Sequence, residues 1–504
     1  MTRGADVAVD GASCHEWVVL VGACSASAEH EREEECDGVL PACGLSGVRV
    51  RSHAVATLLP APLGVVRYDL CGRPPETMAE GLEEGTLMLD PTRSSVWPAA
   101  RVAFVAALLL FIITIVVGIL NGLDIYEPDH DTLITHVHAG TLGWITLAVS
   151  AAALLMFARD ADSSGAGNTR MMAWAMTAAI TLYVAAFFVG DALFEDRIQR
   201  PIAGTVLFIV VIWFGVWLFL QNRKADQSSV ARLGLLLSWI SLFVGAILGV
   251  LLGLYTSNGE IPGLDDDTAA RVAEGHPPAM VIGFLILAAM AVTEWLLRDH
   301  TPQAESRAGT AQMWILFVAG MLANIGFVSG LEEELLGPAN LLMIIGVVIM
   351  VARYRTELAP SGWRGSGVGA FPRISTLFLV AYLVLGTILI SQVISGNMDF
   401  DALTESQFGL VLAFDHVMFI GVMTNLLFGT IAVRMFNRPE LQMTDRVVLW
   451  GVNIGIVGFA IGLLTVSATL KRIATPVMGI ALLYGIAAYV LELVRADLTP
   501  HMTE

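Results

Sequence analysis

Six histidines lie between residues 96 and 496, and four of them sit in apolar surroundings where an imidazole can hold a metal or a haem iron. His136 and His138 stand in ITHVHAGTLGWITL, His276 in EGHPPAMVIGFLIL and His416 in SQFGLVLAFDHVMFIG. Neutral imidazole is a usual ligand of haem iron and also suits copper. It carries no charge into a low-dielectric site. The plain alternative for a single such histidine is a hydrogen bond to a neighbouring helix. Four at a similar level argue for a shared purpose, because ionisable groups at membrane depth are costly and read as functional. His130 and His300 fall in expected loops and read as bystanders.

The elements that carry these residues are apolar helices. The chain has 504 residues, 56% of them hydrophobic and 15% charged, with mean hydropathy +0.70. Soluble domains are about 25% charged, so the bulk solvent here is lipid. Twelve apolar runs are read near 99–122, 134–158, 171–190, 202–221, 231–255, 277–297, 312–331, 336–353, 374–396, 406–433, 446–468 and 473–494. Each is long enough to cross ~30 Å of hydrocarbon as helix, and backbone in lipid must satisfy itself internally. The fold class is therefore all-α and integral to the membrane, with about twelve transmembrane helices spanning 96–496.

Residues 1–95 have a different composition and no spanning run; they read as a disordered extension or as translated upstream sequence, with a start at Met78 or Met88. Residues 497–504 form a short tail. All five cysteines lie within the first 71 residues, without paired CxxC spacing, so neither thiolate chemistry nor a zinc site is expected in the helical part. A net charge of −18 argues against nucleic acid as a partner; membrane lipid is the implied one.

Lys and Arg mark cytoplasmic connections. The connections after runs 2, 4, 6, 8 and 10 hold fourteen of them. The others hold Arg197, Arg200, Arg271, Lys471 and Arg472, together with acidic clusters such as Asp265, Asp266 and Asp267. This bias predicts both termini in the cytoplasm of a cell inner membrane, and it puts His136, His138, His276 and His416 toward the outer ends of runs 2, 6 and 10. The basic pair Lys471 and Arg472 runs against the bias.

Residues two apart on a helix differ by ~200° in direction, so His136 and His138 cannot both face one site on a regular helix. His136 shares its face with Gly140 and Gly143, which would admit a flat macrocycle or a second helix. His138 lies deeper, nearer the level of His416. Pro277 and Pro278 fit the first turn of a helix, which puts His276 at its lip. Glu294 reads as a solvated acid at the opposite interface. Asp415 either supports an imidazole from behind or bonds to a neighbouring helix.

Twelve helices with histidines on the second, sixth and tenth resemble subunit I of the haem-copper oxidases and nitric oxide reductases. NnrS-type membrane proteins share the same general plan. The strings HVHAGTLGW and DHVMFIGVMTNLLFG resemble that family's second and tenth helix elements, and His276 followed by Pro277 its sixth. The resemblance implies haem b held by a helix-2 histidine, His136 or His138, and by His416. It also makes His276 a candidate ligand for copper, with Asp415, Gly140 and Gly143 around the ligands. The sequence departs from the family in three places. The seventh run lacks a histidine pair, Met280 stands where the family has a tyrosine, and the tenth run has one histidine. A complete copper site is therefore not expected.

These readings give a haem-binding membrane protein in electron transfer or in the handling of nitric oxide or oxygen, with oxidoreductase activity undecided. A proton-coupled secondary transporter, in which Asp415 and the histidines relay protons, is the alternative from another class. A purely structural membrane subunit leaves the placement of the histidines without a reason.

Overall fold

The twelve spans are α1 Trp97–Gly122, α2 His130–Phe157, α3 Asn168–Phe188, α4 Gln199–Lys224, α5 Val230–Asn258, α6 Asp266–Arg298, α7 Arg307–Ser329, α8 Glu332–Arg353, α9 Gly367–Ile394, α10 Glu405–Met435, α11 Met443–Leu464 and α12 Ala468–Ala496. They come from a computed structural model that describes residues 95–157, 166–190, 192, 197–224, 229–298, 305–363, 367–398 and 402–498. Among the described residues every regular element is helical. The readings made for residues 1–94, Arg159, His300, Arg364 and the chain beyond 498 lie outside them.

The helices form three arcs of four: α1–α4, α5–α8 and α9–α12. The arcs meet where α4 touches α5, α8 touches α9, and α12 returns to α1. The second helix of each arc goes to the centre, so α2, α6 and α10 touch one another. Burial follows this plan. The central windows of α2, α6 and α10 are 89%, 72% and 72% buried, against 28–50% for the other nine helices.

Lipid tails are as apolar as leucine, so helices in a membrane associate through close contact and hydrogen bonds. Glycines supply the close contact. A Cβ on Gly143 would stand 2.9 Å from that of Leu110 on α1. One on Gly283 would lie 3.0 Å from that of Ser241 on α5, and one on Gly421 2.6 Å from Phe378 on α9. In each arc the central helix thus crosses the one before it at a glycine.

Hydrogen bonds add direction. Trp144 Nε1 donates to Thr424 Oγ1 at 3.0 Å, joining α2 to α10, and Asn425 and Asn453 exchange bonds of 2.8 and 2.9 Å between α10 and α11. The central helices also start with satisfied N–H groups. Asp129 caps α2 through Thr132 N at 2.7 Å, Asp265 caps α6 through Thr268 N at 2.8 Å, and Thr404 forms a capping box with Gln407 on α10.

Pro277 and Pro278 stand in the first turn of a helix that begins at His276, as the sequence implied. A short helix not expected from the sequence, Asp266–Glu274, capped by Asp265, precedes it and is joined to it by a turn at Gly275. One expectation is corrected. Glu294 is not a solvated acid. It is 1% exposed, bonded to Arg353 at 2.6 Å and to the Tyr354 hydroxyl, while Arg353 also donates to Gln312 at 2.9 Å. This cluster ties α6, α7 and α8 together at the end remote from the histidines.

Removing one partner of a buried ion pair leaves the other charge uncompensated. Glu294→Ala is expected to destabilise the bundle by about 3–5 kcal/mol, read as a lower thermal midpoint in detergent. Replacing Glu294 and Arg353 together by leucine is expected to recover most of that loss.

Candidate functional site

All four histidines are half-buried, on helices that are themselves the most buried of the bundle. Three of them orient their rings in the same way. The Nδ1 atom bonds a backbone carbonyl: His138 to Ile134 at 2.9 Å, His276 to Gly245 at 2.7 Å and His416 to Leu412 at 2.7 Å. A carbonyl only accepts, so Nδ1 carries the proton and Nε2 keeps its lone pair. Among the described residues no group bonds these Nε2 atoms. An imidazole held through Nδ1–H with a free Nε2 is prepared to bind iron or another metal. The Nδ1 of His136 is buried without a partner.

Each of these helices changes geometry just after its histidine. Residues Ala139–Thr146 of α2, Ala279–Leu285 of α6 and Val417–Thr424 of α10 are π-helical. Among the described residues the one other π segment is Ile431–Met435, also on α10. Matching side chains mark the wide turns: Thr146 donates to the carbonyl of Thr141 and Thr424 to that of Phe419, each five residues back. Such segments are rare and gather at functional sites.

The three arcs carry one repeated register. Eight residues beyond Leu110, Ser241 and Phe378 come Gly118, Gly249 and Gly386. Seven residues before Gly143, Gly283 and Gly421 come His136, His276 and Phe414. These two sets meet. A Cβ on Gly118 would lie 3.3 Å from His136 Cε1, one on Gly249 2.8 Å from His276 Cε1, and one on Gly386 2.9 Å from Phe414 Cε2. Five residues before the same crossing glycines stand His138, Pro278 and His416. His138 stacks on Phe187 of α3 at 4.3 Å, and His416 meets Phe459 of α11 at 5.0 Å.

The histidines therefore occupy two kinds of position. His136 and His276 lean on the helix before their own; His138 and His416 lean on the helix after. His136 and His416 stand on central helices that touch one another, and so do His138 and His276. The first pair stands where the third arc meets the first, the second pair where the first meets the second. Where the second meets the third, the same two positions hold Phe414 and Pro278.

The neighbours expected around the ligands are placed as follows. Gly140 faces Thr114 and Gly143 faces Leu110, both on α1, so both glycines serve helix contact. Asp415 makes no bond to the His416 ring, whose Nδ1 goes to Leu412; it lies instead within electrostatic reach of Tyr382 on α9. Among the described residues no three His, Cys, Asp or Glu side chains gather as a metal-holding group. No known family model and no curated protein matches the chain.

Lys471 and Arg472, which ran against the charge bias, both bind Asp124 at the end of α1, at 3.0 and 2.7 Å. They close the ring of arcs beside the cleft of His136 and His416. The Arg472 and Lys471 hydrogen bonds hold the Asp124 carboxyl below its ordinary 3.8. A depressed carboxylate pKa stabilises the fold above the ordinary value, and that contribution is lost as pH falls through the lowered one. Asp124→Asn is thus expected to lower the thermal midpoint at neutral pH, and the gap from the unaltered protein should close below about pH 3.8 in a series of melts.

Proposed function

We propose that this protein is a haem-binding integral membrane protein whose b-type haem is held by His136 and His416 in the cleft between α2 and α10. The carrying observation is the placement of these two imidazoles. They come from two central helices that touch one another, and each ring is half-buried. His416 offers a free Nε2. The Nδ1 of His136 is buried without a partner, so that ring is held less firmly than the His416 ring. A bis-imidazole site suits this donor set. The resemblance to haem-copper oxidase subunit I and NnrS-type proteins points the same way.

Haem when bound supplies one-electron chemistry, and its potential depends on axial ligands, hydrogen bonds and burial. The chain's own contribution is to fix the rings. The His416 Nδ1–H to the Leu412 carbonyl sets the tautomer and raises the basicity of the ligating nitrogen. Phe459 and the apolar faces of the central helices keep the surroundings dry. Such a site serves electron transfer, or the handling of a small gas such as nitric oxide or oxygen. Copper fits less well, because His276 belongs to no group of three donors among the described residues.

The charge bias supports an inner-membrane orientation with both termini in the cytoplasm and the histidine end outward. A proton-coupled transporter would be favoured by broken helices at matching places in two halves. The repeat here is threefold, in arcs of four, with a π turn in each of the three histidine helices.

A visible spectrum of the purified protein tests this reading. The expected result is a Soret band that shifts on reduction and is weakened or lost in His416→Ala and in His136→Ala. Folded protein that stays colourless when given hemin would overturn it and leave the transporter.

A further inference from the structure

We propose that His138 and His276 hold a second haem iron between α2 and α6, at a site built like the first and resting on the reading of that first site as a bis-imidazole haem site. Each cleft uses the same parts in the same order. One imidazole stands five residues before the crossing glycine of a central helix and leans on an aromatic ring of the next helix. The other stands seven residues before the crossing glycine of the following central helix and leans on a glycine of the helix before it. For the first cleft these are His416 with Phe459, and His136 with Gly118. For the second they are His138 with Phe187, and His276 with Gly249. Whatever the first cleft is built to hold, the second is built to hold as well.

The second cleft is in one respect better prepared. Both its histidines have Nδ1 fixed on a carbonyl, at 2.9 and 2.7 Å, so both present Nε2. Its wall is continuous. The His138 ring meets Tyr183 edge-on at 5.4 Å, and Tyr183 faces Gly204 of α4, where a Cβ would lie 3.2 Å from its ring. Gly204 in turn faces Val250, the residue after the Gly249 that meets His276. Aromatic faces and glycines suit a flat apolar macrocycle. Arg200 lines the same wall, with its guanidinium paired to Asp131 and its Nε left over. It is 3% exposed, its guanidinium lies over the Phe187 ring at 4.9 Å, and its Nε is buried with no acceptor. A porphyrin propionate is an acceptor of the right kind. The third cleft sets the contrast: with Phe414 and Pro278 in the ligand positions it offers iron nothing.

The experiment is a haem count. Full-length protein purified from membranes in detergent is titrated with hemin, and haem per chain is read by pyridine haemochrome assay against protein concentration. Two haems per chain are expected, falling to about one in His138→Ala and in His276→Ala. His416→Ala is expected to lose the other equivalent, and His276→Gly to regain its own when free imidazole is supplied. One haem per chain, kept in His276→Ala and lost in His416→Ala, overturns this inference and leaves the first site standing. One haem per chain with copper retained through His276 overturns it also. No haem in folded protein removes both. Should a variant lose its fold, the count in the unaltered protein decides: two supports the second site and one rejects it.

Discussion

Gly143, Gly283 and Gly421 stand where α2, α6 and α10 cross the helix before them, with less than a methyl group of room on the facing side. Lipid exerts no hydrophobic pressure on helices, so depth within the bundle has to come from shape. Three close crossings let three helices leave the perimeter and meet at the centre. The other nine can then stay half in lipid, which their lower burial records. Everything chemically unusual in the chain hangs from those central helices, at fixed distances before their crossing glycines. A side chain larger than glycine at a crossing would push the central helix outward and change the depth and direction of the imidazole above it.

Putting imidazoles at that depth is costly, and the structure shows how the cost is limited. A neutral ring needs one donor interaction to be satisfied, and the carbonyl four residues back in its own helix supplies it for His138 and His416. For His276 no such carbonyl is used; the ring reaches Gly245 on the neighbouring helix instead. In all three the proton is consumed by backbone and the remaining nitrogen points away from it. The π turns that follow suit this arrangement, because a wide turn redirects the helix without leaving backbone groups open to lipid.

The sequence made some of this legible and hid the rest for physical reasons. Twelve runs, their type and the common level of the histidines follow from hydropathy and counting, because a span of lipid demands a nearly fixed number of residues. The threefold register stayed hidden because equivalent positions hold chemically different residues: His136, His276 and Phe414 at one, Thr114, Gly245 and Tyr382 at another. Only their contacts reveal the equivalence. A π turn adds a residue without altering composition, so hydropathy cannot register it. The proline pair marked the helix start at His276 correctly, but the short helix Asp266–Glu274 before it is polar and gave no hydropathy signal. The environment of Glu294 depended on Arg353 and Tyr354, some sixty residues away at the end of another helix. No local pattern announces a pairing of that range.

The repeat also accounts for the uneven distribution of histidine. Positions five and seven residues before a crossing glycine point ~200° apart, so one serves the cleft on one side of a central helix and the other serves the opposite cleft. A helix with histidine at both positions presents an imidazole on each side, and α2 is such a helix. Its neighbours α6 and α10 then need one each, at the position that faces α2: His276 on α6 and His416 on α10. At their other positions, which face each other across the third cleft, they carry Pro278 and Phe414. The result is two histidine pairs sharing the helix that is the most buried of the twelve. His136 and His138 are bound to one another through two peptide units, with the His136 carbonyl held by Thr114 and the His138 ring held by Ile134. A displacement of α2 therefore moves both imidazoles together.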